Sequence, residues 1–256
     1  MPWAKSIWRK LLQILHERGY IIPAINTDTV DYETCAVKLQ ESILDFHPDA
    51  HVTILTQDKL PFDEQTGYAN DWQVFYASPY RQTIKLEADM YCTSPIDHWW
   101  KIFELRDVVV STGCRDFYGN VSHNRHYRKI IDENNLSDVY NAITYWRVSQ
   151  TAKDFFTTVR DIFNNWDQYR TLIKFSEDVP TTDTVYAMAA RLIGDEKVTL
   201  PEGMSPSIVH MKKHINPIRV NEWTNELIWE LDPVRINTVA QWGMLHYHVK
   251  DWIKHV

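Results

Sequence analysis

The amino-acid sequence predicts an α/β/α sandwich built around a mixed, mostly parallel sheet. Stretches with strand character alternate with amphipathic helical stretches over most of the 256 residues. Short β-branched runs, such as 107–113, are typical of strands that are buried on both faces. The hydrophobic content of 44% and the charged content of 24% are ordinary for a chain with a sizeable core. No internal repeat or low-complexity linker divides the sequence.

Residues 2–18 have the pattern of an amphipathic helix, with Trp3, Leu11 and Leu15 in one apolar stripe and Gly19 as a C-terminal cap. Such a helix could lie on a membrane or dock a partner, but the stripe is more typical of a helix that closes over its own core. We therefore expect 1–19 to be an N-terminal helix packed on a catalytic domain that spans 20–215. Residues 216–256 would form a C-terminal extension, whose aromatic residues are a candidate acceptor platform.

Residues 20–56 have the pattern of a β-α-β unit. Strands are predicted at 20–27 and 51–56, with a helix over 31–46 between them. A right-handed crossover makes the two strands a parallel pair. Polar residues at the end of the first strand, Asn26, Thr27 and Asp28, lie where an open α/β sheet binds a nucleotide, although they could equally cap the helix.

The stretch 83–92 carries the clearest chemical signal. It begins as a strand, with Ile84, Leu86 and Ala88 on one face and the charged residues on the other. A strand rises about 3.3 Å per residue, so Glu87 and Asp89 project the same way and can both approach one hard cation. The alternative is an exposed acidic strand end.

The second half of the chain continues the alternation. Strand patterns occur at 107–113 and 140–146, and helix patterns at 151–169 and from Thr182 or Asp183 to Gly194. A short strand is predicted at 207–214 and a hairpin at 236–247. His246 and His248 could form a metal pair on this hairpin, but a packed or solvated strand edge is the ordinary interpretation.

Several function classes are disfavoured. The seven glycines form no dinucleotide-binding or P-loop motif, and no run reaches the roughly 18 apolar residues that span a bilayer. The net charge of −7 disfavours a broadly basic nucleic-acid surface, although the basic stretch 115–129 could contact an anionic acceptor if it is not simply a solvated loop. Basic residues interrupt the only early apolar segment, so no secretory signal is predicted. Three widely spaced cysteines, Cys35, Cys92 and Cys114, indicate a reduced, intracellular protein.

The segment 78–90 resembles the part of GT-A nucleotide-sugar glycosyltransferases that carries their DxD motif. The wider order of elements over 20–215 is similar to glycosyltransferase family eight and to glycosyltransferase-like proteins of tailed phages. The strand 140–143 resembles the family's Asn-containing strand, and Thr182-Asp183-Thr184 stands where the family has an Asp-Gln pair. Val209-His210 and the following Lys212-Lys213 resemble the late His and Lys that complete its metal and diphosphate site.

The resemblance implies a GT-A-like, Rossmann-type fold and a retaining, metal-dependent transfer of sugar from a nucleoside-diphosphate sugar, most simply a UDP-sugar. Mn²⁺ or Mg²⁺ would be held by Glu87, Asp89 and His210, since carboxylates and a neutral imidazole suit such ions. Asp183 and Asn141 would be catalytic. We expect the nucleotide and donor to contact Ala24, Asn26, Thr27, Tyr32, Arg81, Lys85, Glu87, Lys212 and Lys213.

The sequence also departs from the family. Glu87 is one methylene longer than the family's first Asp, and Ile143 and Thr184 replace residues near the expected donor sugar. An inactive sugar-nucleotide or glycan-binding module of the same fold is therefore the alternative function. If the chain is phage-like, the acceptor would be a hydroxymethylated pyrimidine in DNA, and the enzyme would act in the host cytoplasm.

Overall fold

The computed structural model describes residues 14–62, 67–113, 128–201, 204, 208–211, 215–217, 226–231, 235–240, 243–247 and 250, with backbone alone for 67–68, 128 and the stretches between 208 and 240. The strands are β1 (His16–Ala24), β2 (Val52–Thr56), β3 (Tyr80–Leu86), β4 (Met90–Cys92), β5 (Val108–Thr112), β6 (Val139–Arg147), β7 (Ile208–Met211), β8 (Ile215–Pro217), β9 (Glu226–Leu231), β10 (Arg235–Ala240) and β11 (Met244–Tyr247). The α-helices are α1 (Tyr32–Phe46), α2 (Val74–Ala77), α3 (His98–Phe103), α4 (Arg128–Glu133), α5 (Gln150–Asn164), α6 (Trp166–Leu172), α7 (Thr182–Ile193) and α8 (Asp195–Val198). Short 3₁₀ turns cover Gln57–Lys59 and Gly67–Gln73.

The central sheet has the strand order β2-β1-β3-β6-β5. β1 is parallel to β2 and to β3, whereas β6 is antiparallel to both β3 and β5. Only β6 therefore runs against the other four strands of this sheet. The predicted mixed, mostly parallel sheet is confirmed.

Hydrophobic clusters cover both faces of this sheet. Tyr20 and Ile22 point to the face that α1 and α3 cover, and Ile21 between them points to the face that α5 and α7 cover. Alternate residues of one strand thus enter opposite cores, as the period of two requires. The predicted α/β/α layering follows from this packing.

The predicted N-terminal helix cannot reach residue 18, because β1 begins at His16. Parallel pairing with β3, which places Gly19 opposite Thr83, determines the conformation here. Gly19 is not a helix cap: a Cβ at this position would lie 2.4 Å from ring carbons of Tyr80, so the glycine makes room for that ring. Residues 2–13 of the predicted helix lie outside the described residues.

Two three-stranded sheets accompany the central one, with the orders β4-β11-β7 and β10-β9-β8. The hairpin predicted over 236–247 is wrong. The hairpin is formed by β9 and β10, whereas β11 pairs antiparallel with β4 and parallel with β7. Among the described residues, no helix is both long and apolar enough to cross a bilayer.

Candidate metal centre and cavity

The candidate site lies where β3 leaves the central sheet. The amide of Glu87 still donates to Ala142 O of the neighbouring strand β6 (3.1 Å), and the chain then turns into β4. β11 pairs with β4, so His246 lies opposite Met90 and the Tyr247 amide donates to Asp89 O (3.1 Å). This pairing brings an imidazole from the end of the chain beside the two carboxylates.

Glu87, Asp89 and His246 form a compact cluster. His246 Nε2 lies 3.4 Å from Glu87 Oε2 and 3.0 Å from Asp89 Oδ1. One ligand atom from each residue can be chosen so that all lie within 4.8 Å of one another. Asp89 and His246 are buried and Glu87 is half-buried, so the cluster presents one open side. The Tyr140 hydroxyl hydrogen-bonds His246 Nδ1. In a neutral ring that donates Nδ1–H to this hydroxyl, the Nε2 lone pair would be available to a cation bound between Nε2 and the carboxylates.

Charges within the cluster compensate one another. Burial alone would raise the pKa of Asp89, but His246 and Lys250 outweigh it and hold that pKa below its ordinary value. Burial raises the pKa of Glu87, partly opposed by His246. The His246 pKa is lowered by burial but raised more by the two carboxylates, and the net direction is upward. Lys250 donates to Asp89 Oδ2 and to Tyr247 O.

The cluster fits a divalent cation. Two carboxylate oxygens and one imidazole nitrogen form the mixed donor set that suits Mn²⁺, and Mg²⁺ with water in the remaining positions. Glu87 and Asp89 are the carboxylates that the sequence predicts. The third ligand offered here is His246, from a strand predicted as an edge but central in its sheet. The His210 side chain lies outside the described side chains, although its backbone pairs with His246, and its metal role stays a prediction.

A cavity of about 610 Å³ opens beside the cluster. Glu87, Asp89, His246 and Lys250 line one part of it, together with Tyr32, whose ring centroid lies 5.8 Å from Lys250 Nζ. Much of the remaining wall is apolar, and its residues are Pro23, Ile25, Leu55, Leu60 and Val74. This volume and the mixture of apolar walls with few polar groups are typical of a small-molecule site.

A buried polar network forms another part of the wall. Lys85 Nζ donates to Asp71 Oδ2 (3.0 Å) and to Asn141 O (3.2 Å). Asn141 Nδ2 (3.1 Å) and the Tyr186 hydroxyl also donate to Asp71 Oδ2. The side chains of Lys85 and Asp71 are only 2% and 8% exposed. The sequence predicts Lys85 at the donor site, but it gives no signal for its partner Asp71.

The two predicted catalytic residues lie next to each other. Asp183, in the first turn of α7, accepts a hydrogen bond from the Asn141 amide through Oδ1 (2.7 Å). Asn141 Oδ1 accepts one from the Thr144 hydroxyl (2.7 Å), while its Nδ2 is bound to Asp71. Both polar ends of the Asn141 side chain are thus engaged within the protein. This geometry suits a positioning role as well as a catalytic one.

The other predicted donor contacts divide between the cavity and elsewhere. Thr27 and Tyr32 line the cavity, and Ala24 is fully buried at the end of β1 just before it. Asn26 Oδ1 accepts from the Glu33 amide (3.0 Å), the capping role that the sequence left open.

Arg81 is at the opposite end of β3 from Glu87, about 20 Å away for a strand of that length, and its Nε binds Glu17 Oε2 at 2.9 Å. Lys212 and Lys213 lie outside the described residues.

No protein-family model matches the sequence, and no curated protein matches it. Solved structures that resemble the chain include GT-A-type glycosyltransferases. Mouse xyloside xylosyltransferase 1, in its apo form, has a TM-score of 0.44 and 9% identity over 73% of this chain and 85% of its own. An active-site variant of LgtC has a TM-score of 0.46 and 11% identity over 90% and 86%. GlyE of Streptococcus pneumoniae has a TM-score of 0.42 and 10% identity over 73% and 46%. Identities this low say nothing about ligands, and the resemblance to family eight and to phage proteins stays a prediction.

Proposed function

We propose that the protein is a divalent-cation-dependent glycosyltransferase that uses a nucleoside-diphosphate sugar. The observation that carries the proposal is the cluster of Glu87, Asp89 and His246, with Lys250 beside it, on the wall of a 610 Å³ cavity. When a nucleoside diphosphate departs from the sugar, negative charge develops on its phosphates. A site that places cation ligands and an ammonium together beside a small-molecule cavity is suited to such a leaving group.

In this proposal each residue of the site has its own role in binding the donor. Asp89 and His246 would hold Mn²⁺ or Mg²⁺, and Glu87 would be a further ligand or a contact to the ribose. Bound there, the cation supplies Lewis-acid neutralisation of the diphosphate charge. The Lys250 ammonium, which now binds Asp89, is placed to pair with a phosphate oxygen, and the Tyr32 ring offers a face on which a base can stack.

The acceptor in this proposal is a hydroxyl group. A hydroxymethylated pyrimidine in DNA is kept as the specific hypothesis because of the basic stretch 115–129, most of which lies outside the described residues. Retention of anomeric configuration follows from the family resemblance alone. Asp183 is the carboxylate we assign to the reaction face.

Donor hydrolysis with and without metal tests the central proposal. We expect Mn²⁺-dependent release of UDP from at least one of a panel of UDP-sugars, abolished by a chelator. Asp89→Ala should lower this turnover by about 100-fold or more, since it removes a ligand and a charge. Asp49→Ala, at an exposed aspartate, is the matched control and should leave it unchanged. Intact turnover in Asp89→Ala, or no turnover with any donor, would defeat the proposal.

Calorimetry separates binding from turnover. His246→Ala should weaken Mn²⁺ binding by about 10-fold or more, whereas Asp49→Ala should not. For the acceptor, unmodified and hydroxymethylated duplexes are compared with the active donor. Equal inertness of both duplexes would exclude DNA as the acceptor while leaving sugar transfer in place.

The second candidate is a sugar-nucleotide-binding module without turnover. The engagement of both ends of the Asn141 side chain, and of Asp183 Oδ1, in internal hydrogen bonds favours it. Tight, Mn²⁺-dependent UDP binding together with no product from any donor would select this function over transfer.

A further inference from the structure

We propose that Asp71 selects the donor sugar, its carboxylate oxygen Oδ1 accepting a hydrogen bond from one sugar hydroxyl at the cavity wall. The inference rests on the proposed function and adds to it a residue outside the cation cluster. It also assigns a task to the buried Lys85–Asp71 pair, which the handling of the diphosphate does not require.

Asp71 is held in place by three donors on a single oxygen. Lys85 Nζ, Asn141 Nδ2 and the Tyr186 hydroxyl all bind Oδ2. These partners come from β3, β6 and α7, so the carboxylate cannot turn without breaking contacts to three elements. A group fixed in this way is preorganised, and a ligand that binds it does not have to immobilise it.

The second oxygen of the same carboxylate is available. Among the described residues none donates to Asp71 Oδ1, and this oxygen is not one of the enclosed side-chain atoms that lack a partner. Asp71 lines the cavity, together with its neighbour Asn70 and with Thr181 and Thr182 at the start of α7. Oδ1 is therefore an accessible acceptor on a residue that lines the cavity.

The chemistry of this acceptor restricts the ligand. An ionised carboxylate oxygen only accepts hydrogen bonds, so a phosphate, which at neutral pH is also largely an acceptor, is not stabilised there. A sugar hydroxyl can donate a hydrogen bond to this oxygen, and it is therefore stabilised there. Lys85 already compensates the Asp71 charge, so a neutral hydroxyl is a sufficient partner for Oδ1. An analogue that lacks this hydroxyl would fill the cavity and leave Oδ1 without a donor, which lowers affinity. In this arrangement the cation cluster binds the diphosphate, and Asp71 recognises one hydroxyl of the sugar.

The test compares UDP with an intact UDP-sugar by calorimetry in the presence of Mn²⁺. The donor is the one found to be hydrolysed, and a series of its deoxyfluoro analogues replaces each hydroxyl in turn, because fluorine cannot donate. In the wild-type protein one analogue should bind about 10- to 100-fold more weakly than the parent, the range for a hydrogen bond to a charged group.

The double variant Asp71→Asn/Lys85→Met supplies the protein side of the cycle. It removes the carboxylate and its buried counter-charge together, so neither is left unpaired. We expect it to bind the parent and the sensitive analogue within about 2-fold of each other, because the acceptor that distinguishes them has been removed. Thermal melts confirm that the variant is folded. If it is not, the analogue series on the wild type still overturns the assignment when no analogue binds more weakly than the parent.

The outcomes separate the two proposals. If UDP with Mn²⁺ does not bind the wild-type protein, the proposed function fails. If UDP binds but every deoxyfluoro analogue matches the parent, or the folded double variant keeps the same analogue sensitivity, the Asp71 assignment alone is overturned.

Discussion

The buried pair of Lys85 and Asp71 allows a sharp prediction about stability. The perturbations are Asp71→Asn, Lys85→Met and the two together. The Lys85 and Asp71 side chains are 2% and 8% exposed, and Nζ and Oδ2 lie 3.0 Å apart. Each single change removes one charge and leaves the other on a largely buried side chain without its counter-charge. The double change removes both.

The size of the destabilisation follows from the partners that each remaining charged group retains. After Asp71→Asn the ammonium retains the carbonyl of Asn141 but no anion, and breaking a buried pair in this way costs about 3–5 kcal/mol. After Lys85→Met the carboxylate retains the Tyr186 and Asn141 donors, so we expect the lower end of that range. For a chain of this size each kcal/mol moves the Tm by about 2–4 °C, so Asp71→Asn should lower it by roughly 6–20 °C.

The assay is a double-mutant cycle on the free energy of unfolding. Urea titrations followed by far-UV circular dichroism give the four values, and the double variant should be much less destabilised than the sum of the singles. Lys38→Met is the matched control, because Lys38 pairs with Glu41 on the surface of α1 and should contribute less than about 1 kcal/mol. Simple additivity would refute the claim that the pair is mutually compensating.

Further predictions concern the thiols, a glycine and the metal. Burial raises the pKa of Cys92 to about 12 and also raises that of Cys35, so in Cys114→Ser protein a thiol reagent near neutral pH should react only on unfolding; prompt labelling would contradict this burial. Gly19→Ala drives a Cβ into the Tyr80 ring and should cost about 1–3 kcal/mol by urea titration, whereas an unchanged midpoint would mean that the ring moves freely. Removal of bound metal with a chelator should leave the protein folded, because Lys250 and His246 lie against Asp89 and compensate its charge. Mn²⁺ at about 100 times its Kd should add about 2.7 kcal/mol, and no rise in the Tm would argue against the cation site.

Those parts of the fold that depend on local pattern were predictable. Asp31 caps α1 by accepting from the Thr34 amide, and the buried residues Ala36, Leu39 and Ile43 have helical spacing. The helix predicted over 2–18 is wrong at 16–18, although the apolar stripe before these residues fits a helix. The interaction that determines their conformation is the pairing with β3, more than 60 residues later. Propensity within a window carries no trace of that partner.

The same distinction explains the candidate site. Glu87 and Asp89 were predicted because they stand two residues apart at the end of a strand pattern. In the structure they lie in the short turn between β3 and β4. The sequence did not group His246 with these carboxylates, because the register that places it opposite Met90 joins strands about 150 residues apart. The predicted hairpin over 236–247 also gave this strand the wrong partner. Asp71 gave no signal either, since its three donors come from β3, β6 and α7.

The two proposals give the two aspartates of one cavity different roles, and the environments of their cationic partners support this difference. The Asp71 partner, Lys85, is on a central strand and is locked by a second hydrogen bond to the Asn141 carbonyl, so the pair belongs to the scaffold and only Oδ1 remains for a ligand. The Asp89 partner, Lys250, is 22% exposed and lines the cavity, so its ammonium can exchange the carboxylate for a phosphate at little cost in burial. A fixed pair suits recognition of a neutral hydroxyl, which must find an acceptor in one position. An exchangeable pair suits a diphosphate that binds together with a metal ion. When Lys250 leaves Asp89, the carboxylate becomes available to the metal ion and the ammonium becomes available to a phosphate oxygen.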